Sequence, residues 1–123
     1  MVFGRILRVA PPGTVIPKPK AKSDFIVKGL GKRRGEQAIV YVIPSHTNPP
    51  KPHEKGVTVS EVERAYREFV ASGEFTRQWF VRNLPRCYAE GDCNFTTTGG
   101  LFVLLGEAEY AGRGVYRRSR RDG

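Results

Sequence analysis

Four short polar side chains, Asn94, Thr96, Thr97 and Thr98, stand just before two glycines and an apolar run that ends at Leu105. At the start of a helix, side chains of this kind reach phosphate oxygens or base edges, and the free N–H groups there attract phosphate. Gly99 and Gly100 would let the backbone approach a sugar-phosphate rail or a packed neighbour. Arg113, Arg117 and Arg118 follow, fit to enter a minor groove or clamp a phosphate. A second reading stands beside this one: the threonines only cap the helix, and the glycines serve helix packing.

Other cations extend the same chemistry. Lys32, Arg33 and Arg34 lie among Gly29, Gly31 and Gly35 and make a basic loop tip. Lys18, Lys20 and Lys22 would trail along a nucleic-acid backbone as an arm. Arg77 and Arg82 either cross a backbone or are simply solvated. Base-reading residues are not clustered, so the expected affinity is electrostatic. Neutralising about five to seven phosphates gives a slope of log K against log salt near −4 to −6.

Metal and acid–base chemistry are less well supplied. Cys87 and Cys93 flank Tyr88 to Asp92, which is not the spacing of a zinc ribbon. With His46 and His53 they would complete a Cys2His2 set, or close a small disulfide loop, but two ordinary thiols are the favoured reading. His46 and His53 beside Glu54 leave a small ribonuclease or toxin open as an alternative. No nucleophile elbow, phosphate loop, metal-binding helix or paired-carboxylate motif accompanies them. The expectation is a non-enzymatic protein without a cofactor.

Charge supports an anionic partner. The 123 residues carry a net charge of +9. Residues 1–35 hold +8, residues 36–111 hold −3, and residues 112–123 hold +4. A mildly acidic body with basic ends favours nucleic acid over a membrane surface, although such ends also serve solubility alone. Arg5 and Arg8 interrupt residues 2–10, so no secretory signal is read there. No stretch is apolar for long enough to span a bilayer, and a cytoplasmic protein is expected.

The elements that must position these groups are readable from pattern. The length fits one domain, residues 24–118, with a flexible basic Pro/Lys-rich arm over residues 1–23 and a basic tail over 119–123. Phe25–Val27 and Ala38–Ile43 predict two strands, the second apolar enough to be covered on both faces. Ser45–Gly56, with three prolines, predicts a loop. Ser60 and Glu63 match a capping box, Val62, Ala65, Tyr66, Phe69 and Val70 form an apolar stripe, and Gly73 stops the helix. A second helix is expected over Thr76–Leu84, a loop over Arg86–Asn94, and a third helix over Thr96–Leu105. Two short strands, Glu107–Tyr110 and Val115–Arg118, close the chain around Ala111-Gly112-Arg113-Gly114.

From Ser60 onward this order of three helices and a hairpin resembles a winged helix-turn-helix domain. The elements together give an α+β fold with an N-terminal β-hairpin, three helices and a C-terminal β-wing, and the resemblance covers the C-terminal half. It casts Thr96–Leu105 as recognition helix and Glu107–Arg118 as wing, and implies duplex DNA binding, with DNA favoured over RNA. The N-terminal hairpin joining the wing in one sheet is an expected arrangement. RNA binding through the basic hairpin, and a module that docks an acidic protein, are the alternatives.

Overall fold

The computed structural model describes residues 1–19, 23–44 and 52–119. Lys20, Lys22, His46 and residues 120–123 lie outside them. The fold is α+β. Its first half comprises α1 (Val2–Val9) and the strands β1 (Ile26–Arg33), β2 (Glu36–Ile43) and β3 (His53–Thr58). The second half comprises α2 (Val59–Ser72), β4 (Glu74–Thr76), α3 (Arg77–Asn83), α4 (Pro85–Ala89), α5 (Cys93–Leu104), β5 (Ala108–Gly112) and β6 (Val115–Arg118). Among the described residues no helix is long and apolar enough to cross a membrane.

The first sheet is antiparallel in the order β1-β2-β3. Its central strand β2 buries Ala38, Ile39, Val40 and Tyr41 in succession, as its unbroken apolar run requires of a strand covered on both faces. β1 is longer than its three apolar residues predict. It runs to a two-residue turn, Arg34-Gly35, whose positive φ values of 49° and 78° match the twist of a tight hairpin. Gly31 is required within the strand, because a Cβ there would lie 2.7 Å from Val40. β3 corrects the loop expected over Ser45–Gly56: backbone pairing with β2 recruits His53 to Thr58 despite their polar composition.

The flexible arm expected over residues 1–23 is also corrected as far as Ile16. α1 buries Val2, Phe3 and Ile6, and Ile16 is buried as well. Gly13 N–H donates to the Val27 carbonyl, Val27 N–H to Thr14, and Ile16 N–H to Phe25, so this segment lies along the β1 edge. Arg5 fixes α1 to the body by donating to Glu107 (2.7 Å) and to the Tyr66 hydroxyl (2.8 Å).

α2 begins two residues earlier than Ser60 and Glu63 imply. Thr58 and Glu61 form the capping box, with Glu61 N–H donating to Thr58 Oγ1 (3.2 Å) and Thr58 N–H to Glu61 Oε1 (2.9 Å). The other pair is used between elements: Ser60 donates to Glu36, and Glu63 accepts from Phe3 N–H. Gly73 ends the helix at φ 85°, in the left-handed conformation that its position predicts.

The wing strands do not join the first sheet. β4, a strand absent from the sequence reading, pairs with β6 to give a separate sheet of order β4-β6-β5. The loop expected before the third helix contains α4, started by Pro85 at its first position. α5 is packed between the two sheets. Tyr116 from β6 lies against Gly99, and Ile16 with the Pro17 carbonyl lies against Gly100. Around this helix Phe75 meets the rings of Phe80, Phe95, Phe102 and Tyr116, with centroids 5.0–6.3 Å away.

Two effects of opposite sign meet at Gly99. Alanine there gains about 1 kcal/mol of helix propensity. Its Cβ, however, would lie 2.1 Å from the Tyr116 ring, and overpacking of that kind costs about 1–3 kcal/mol. Packing wins because Tyr116 is itself buried among aromatic neighbours. We expect Gly99→Ala to lower the denaturant midpoint at unchanged m-value; a raised midpoint would show that the ring yields freely.

Candidate nucleic-acid interface

The polar start of α5 faces the core. Asn94 is buried, its Oδ1 accepting from the Tyr41 hydroxyl (2.7 Å) and its Nδ2 donating to the Cys87 carbonyl (2.8 Å). Thr98 is buried and donates to the Asn94 carbonyl (2.7 Å). Thr97 is buried, and Thr96 is half-buried with its carbonyl near the Tyr116 hydroxyl. These four residues therefore present no surface that fits a groove. Asn94 secures the seam between β2 and the helices through Tyr41 and Cys87, and Gly99 and Gly100 serve packing.

The β1–β2 tip is likewise divided between structure and solvent. The Arg34 side chain is 9% exposed and reaches Glu61, itself 11% exposed, at 2.5 Å; its other terminal nitrogen pairs with Glu90. Burial alone would lower the Arg34 pKa, but hydrogen bonds to Glu90 and Glu61 outweigh it and raise it. Arg33 pairs with Glu54, and of the three cations only Lys32 is exposed. Lys18 sits over the Phe25 ring. On the wing, Arg117 pairs with Glu109 and Arg118 lies over Phe69.

Three of the expected contact residues do converge. Arg77 and Arg82 on α3 and Arg113 at the β5–β6 turn line one open cleft of about 530 Å³. Gln78, Val81 and Val115 line it too. The two walls are joined by the backbone: Arg77 N–H donates to the Gly114 carbonyl (2.9 Å), and Gly114 N–H donates to the Tyr110 hydroxyl (3.0 Å). Thr76 caps α3 by accepting from Trp79 N–H (3.0 Å). Arg77 is engaged on both sides, with two donors on Asp92 (2.8 and 3.3 Å) and its guanidinium 4.8 Å from the centre of the Phe95 ring. Arg82 and Arg113 are exposed and have no hydrogen-bond or ion-pair partner among the described residues.

Among the described residues no carboxylate lines the cleft, and Asp92 pairs with Arg77 beside it. Such a surface can hold an anion and, over Val81 and Val115, an apolar group beside it. Sequence reasoning found the arginines singly but missed Gln78, Val81 and Val115. The available signal was helical spacing, since Gln78 and Arg82 fall four apart on one face. The turn that brings Arg113 to them has no local signal linking it to α3.

Burial pushes the Cys87 thiol pKa up, Cys93 is half-buried, and both are free. His53 is exposed at the start of β3. Among the described residues no three His, Cys, Asp or Glu side chains are grouped to hold a metal.

The Arg34–Glu61 pair has a measurable consequence. Burial pushes the Glu61 pKa up, but Arg34 and the Thr58 N–H more than reverse this and hold it below the usual carboxylate range. Glu107 is lowered in the same way by Tyr66 and Arg5. A depressed carboxylate stabilises fully above its unfolded pKa and loses that contribution as pH falls through its folded value. We expect Arg34→Ala to cost about 3 kcal/mol at neutral pH by leaving the buried Glu61 carboxylate without its cation. Glu61→Gln should lower Tm at neutral pH, and the gap to the native chain should narrow as pH falls through and below the usual carboxylate range. A constant gap across that range would contradict the pairing.

Compared with protein-family models, curated proteins and solved structures, the chain matches none.

Proposed function

We propose that the protein is a small non-enzymatic nucleic-acid-binding protein, with duplex DNA favoured, and that the α3–turn cleft holds its phosphate backbone. The observation that carries this reading is Arg113. It occupies a left-handed conformation, φ 53°, in a two-residue turn with Gly114 at φ 71°. That conformation costs a side-chain-bearing residue about 1 kcal/mol relative to glycine. At the corresponding turn of the first hairpin Arg34 has φ 49°, and its ion pairs offset the cost. Arg113 has no such compensation among the described residues, and strain without an internal partner is a mark of functional positions.

Other observations support the same reading. The net charge of +9 attracts a polyanion. The order α2, β4, α3, α4, α5, β5, β6, with β4 beside β6, is compatible with the winged helix-turn-helix resemblance. Burial of the α5 polar residues moves the contact away from a recognition helix to α3 and the turn. Binding is then through phosphates and largely independent of sequence. A cytoplasmic location accompanies this reading.

Fluorescence anisotropy with a labelled duplex tests it. A footprint of about three to five phosphates gives a log–log salt slope near −3 to −4.5, and Arg82→Ala with Arg113→Ala reduces the steepness by about 2. Arg113→Asn should raise Tm slightly, since asparagine tolerates the turn, while weakening binding. Unchanged affinity and slope in these variants would falsify the cleft assignment. Tighter binding to single-stranded RNA, lost on Lys32→Ala with Arg33→Ala, would favour the first hairpin instead.

A further inference from the structure

The cleft is larger and more apolar than phosphate contact requires. Its roughly 530 Å³ falls in the range of about 300–1,000 Å³ typical of clefts that enclose a small organic ligand. Val81 is 38% exposed there, an apolar side chain left open between arginines. Val115 lies across from it on β6. Phosphates held by Arg82 and Arg113 would leave both valines uncovered.

Two further features specify the shape and polarity of the missing group. Arg77 is a flat cation fixed in place by the Phe95 ring and Asp92, and guanidinium planes of this kind accept stacked bases. Gln78 is exposed on the cleft wall with no partner among the described residues, and its amide offers both donor and acceptor to a base edge. A planar, edge-polar group bearing anionic flanks satisfies all four elements. An aliphatic side chain of an acidic peptide would satisfy the charge and the valines but would not stack on the Arg77 plane.

We propose that the cleft takes one unpaired nucleotide of DNA at an interruption in base pairing. The base lies over Val81 and Val115 against Arg77, Gln78 hydrogen-bonds its edge, and Arg82 and Arg113 hold the flanking phosphates. This rests on the nucleic-acid reading of the same cleft and names its preferred substrate. Extruding a base already unpaired costs the least stacking energy, so a bulge or junction is preferred to a continuous duplex.

The test uses the full chain and two duplexes of equal length, one fully paired and one with a single bulged 2-aminopurine. The bulged duplex should bind about tenfold more tightly, in line with one stacked base, and its 2-aminopurine emission should change in step with anisotropy. Gln78→Ala and Val81→Ser should weaken bulged-duplex binding more than paired-duplex binding, and so reduce that preference, while leaving the salt slope unchanged because neither residue is charged. Both positions are exposed, and an unaltered Tm in each variant checks the fold.

Equal affinity for both duplexes, still salt-steep and dependent on Arg113, would overturn the nucleotide pocket and leave the phosphate-binding reading intact. A bulge preference untouched by both variants would also overturn it, since the base would then lie elsewhere. Binding to neither duplex would sink both readings. An acidic, leucine-containing peptide bound with dependence on Arg113 would then identify a protein-docking cleft.

Discussion

The close approach of the second sheet and the amino-terminal segment to α5 at Gly99 and Gly100 governs the rest of the molecule. Without side chains at these positions, the Tyr116 ring reaches the helix from one sheet and Ile16 with Pro17 reaches it from the amino-terminal segment. α5 becomes the axis of the core, and Phe95, Leu101 and Phe102 are buried around it. A helix enclosed in this way must satisfy its own polar groups internally. Asn94 and Thr98 do so through Tyr41, Cys87 and the helix backbone.

Enclosing α5 has a functional consequence. The segment whose residue types look most suited to a groove is removed from solvent, and the surface chemistry passes to α3 and the β5–β6 turn. The two Arg-Gly turns then divide the work. Arg34 is drawn inward and ties the first hairpin to the start of α2 and the end of α4 through Glu61 and Glu90. Arg113 adopts nearly the same backbone conformation but lines the cleft with Arg82. One serves cohesion, and the other is available to an anion.

The sequence was most legible where local physics dominates. The apolar stripe of α2 and its Gly73 stop, the fully covered β2 strand and the C-terminal hairpin follow from periodicity and turn chemistry. α1 was missed because eight residues with charges at Arg5 and Arg8 carry little pattern, and only tertiary burial of Phe3 and Ile6 makes them a helix. β3 was missed because pairing with β2 overrides the polar stretch from His53 to Lys55. At the site, each arginine was visible as a charge, but the pairing of Arg34 and the burial of Thr97 depend on contacts remote in the chain. The cleft was illegible for the same reason: a Gly114–Arg77 backbone hydrogen bond creates it.

The most direct measurement is an NMR titration of the arginine Nε–Hε and backbone amide signals with duplex DNA at low salt. If the cleft is the binding surface, the Arg82 and Arg113 side-chain signals and the amides of α3 and residues 112–115 shift with one saturation curve, while the Asn94, Thr97 and Thr98 amides stay fixed. Large shifts at Asn94 to Thr98 with none at Arg82 or Arg113 would contradict that assignment and return the interface to α5.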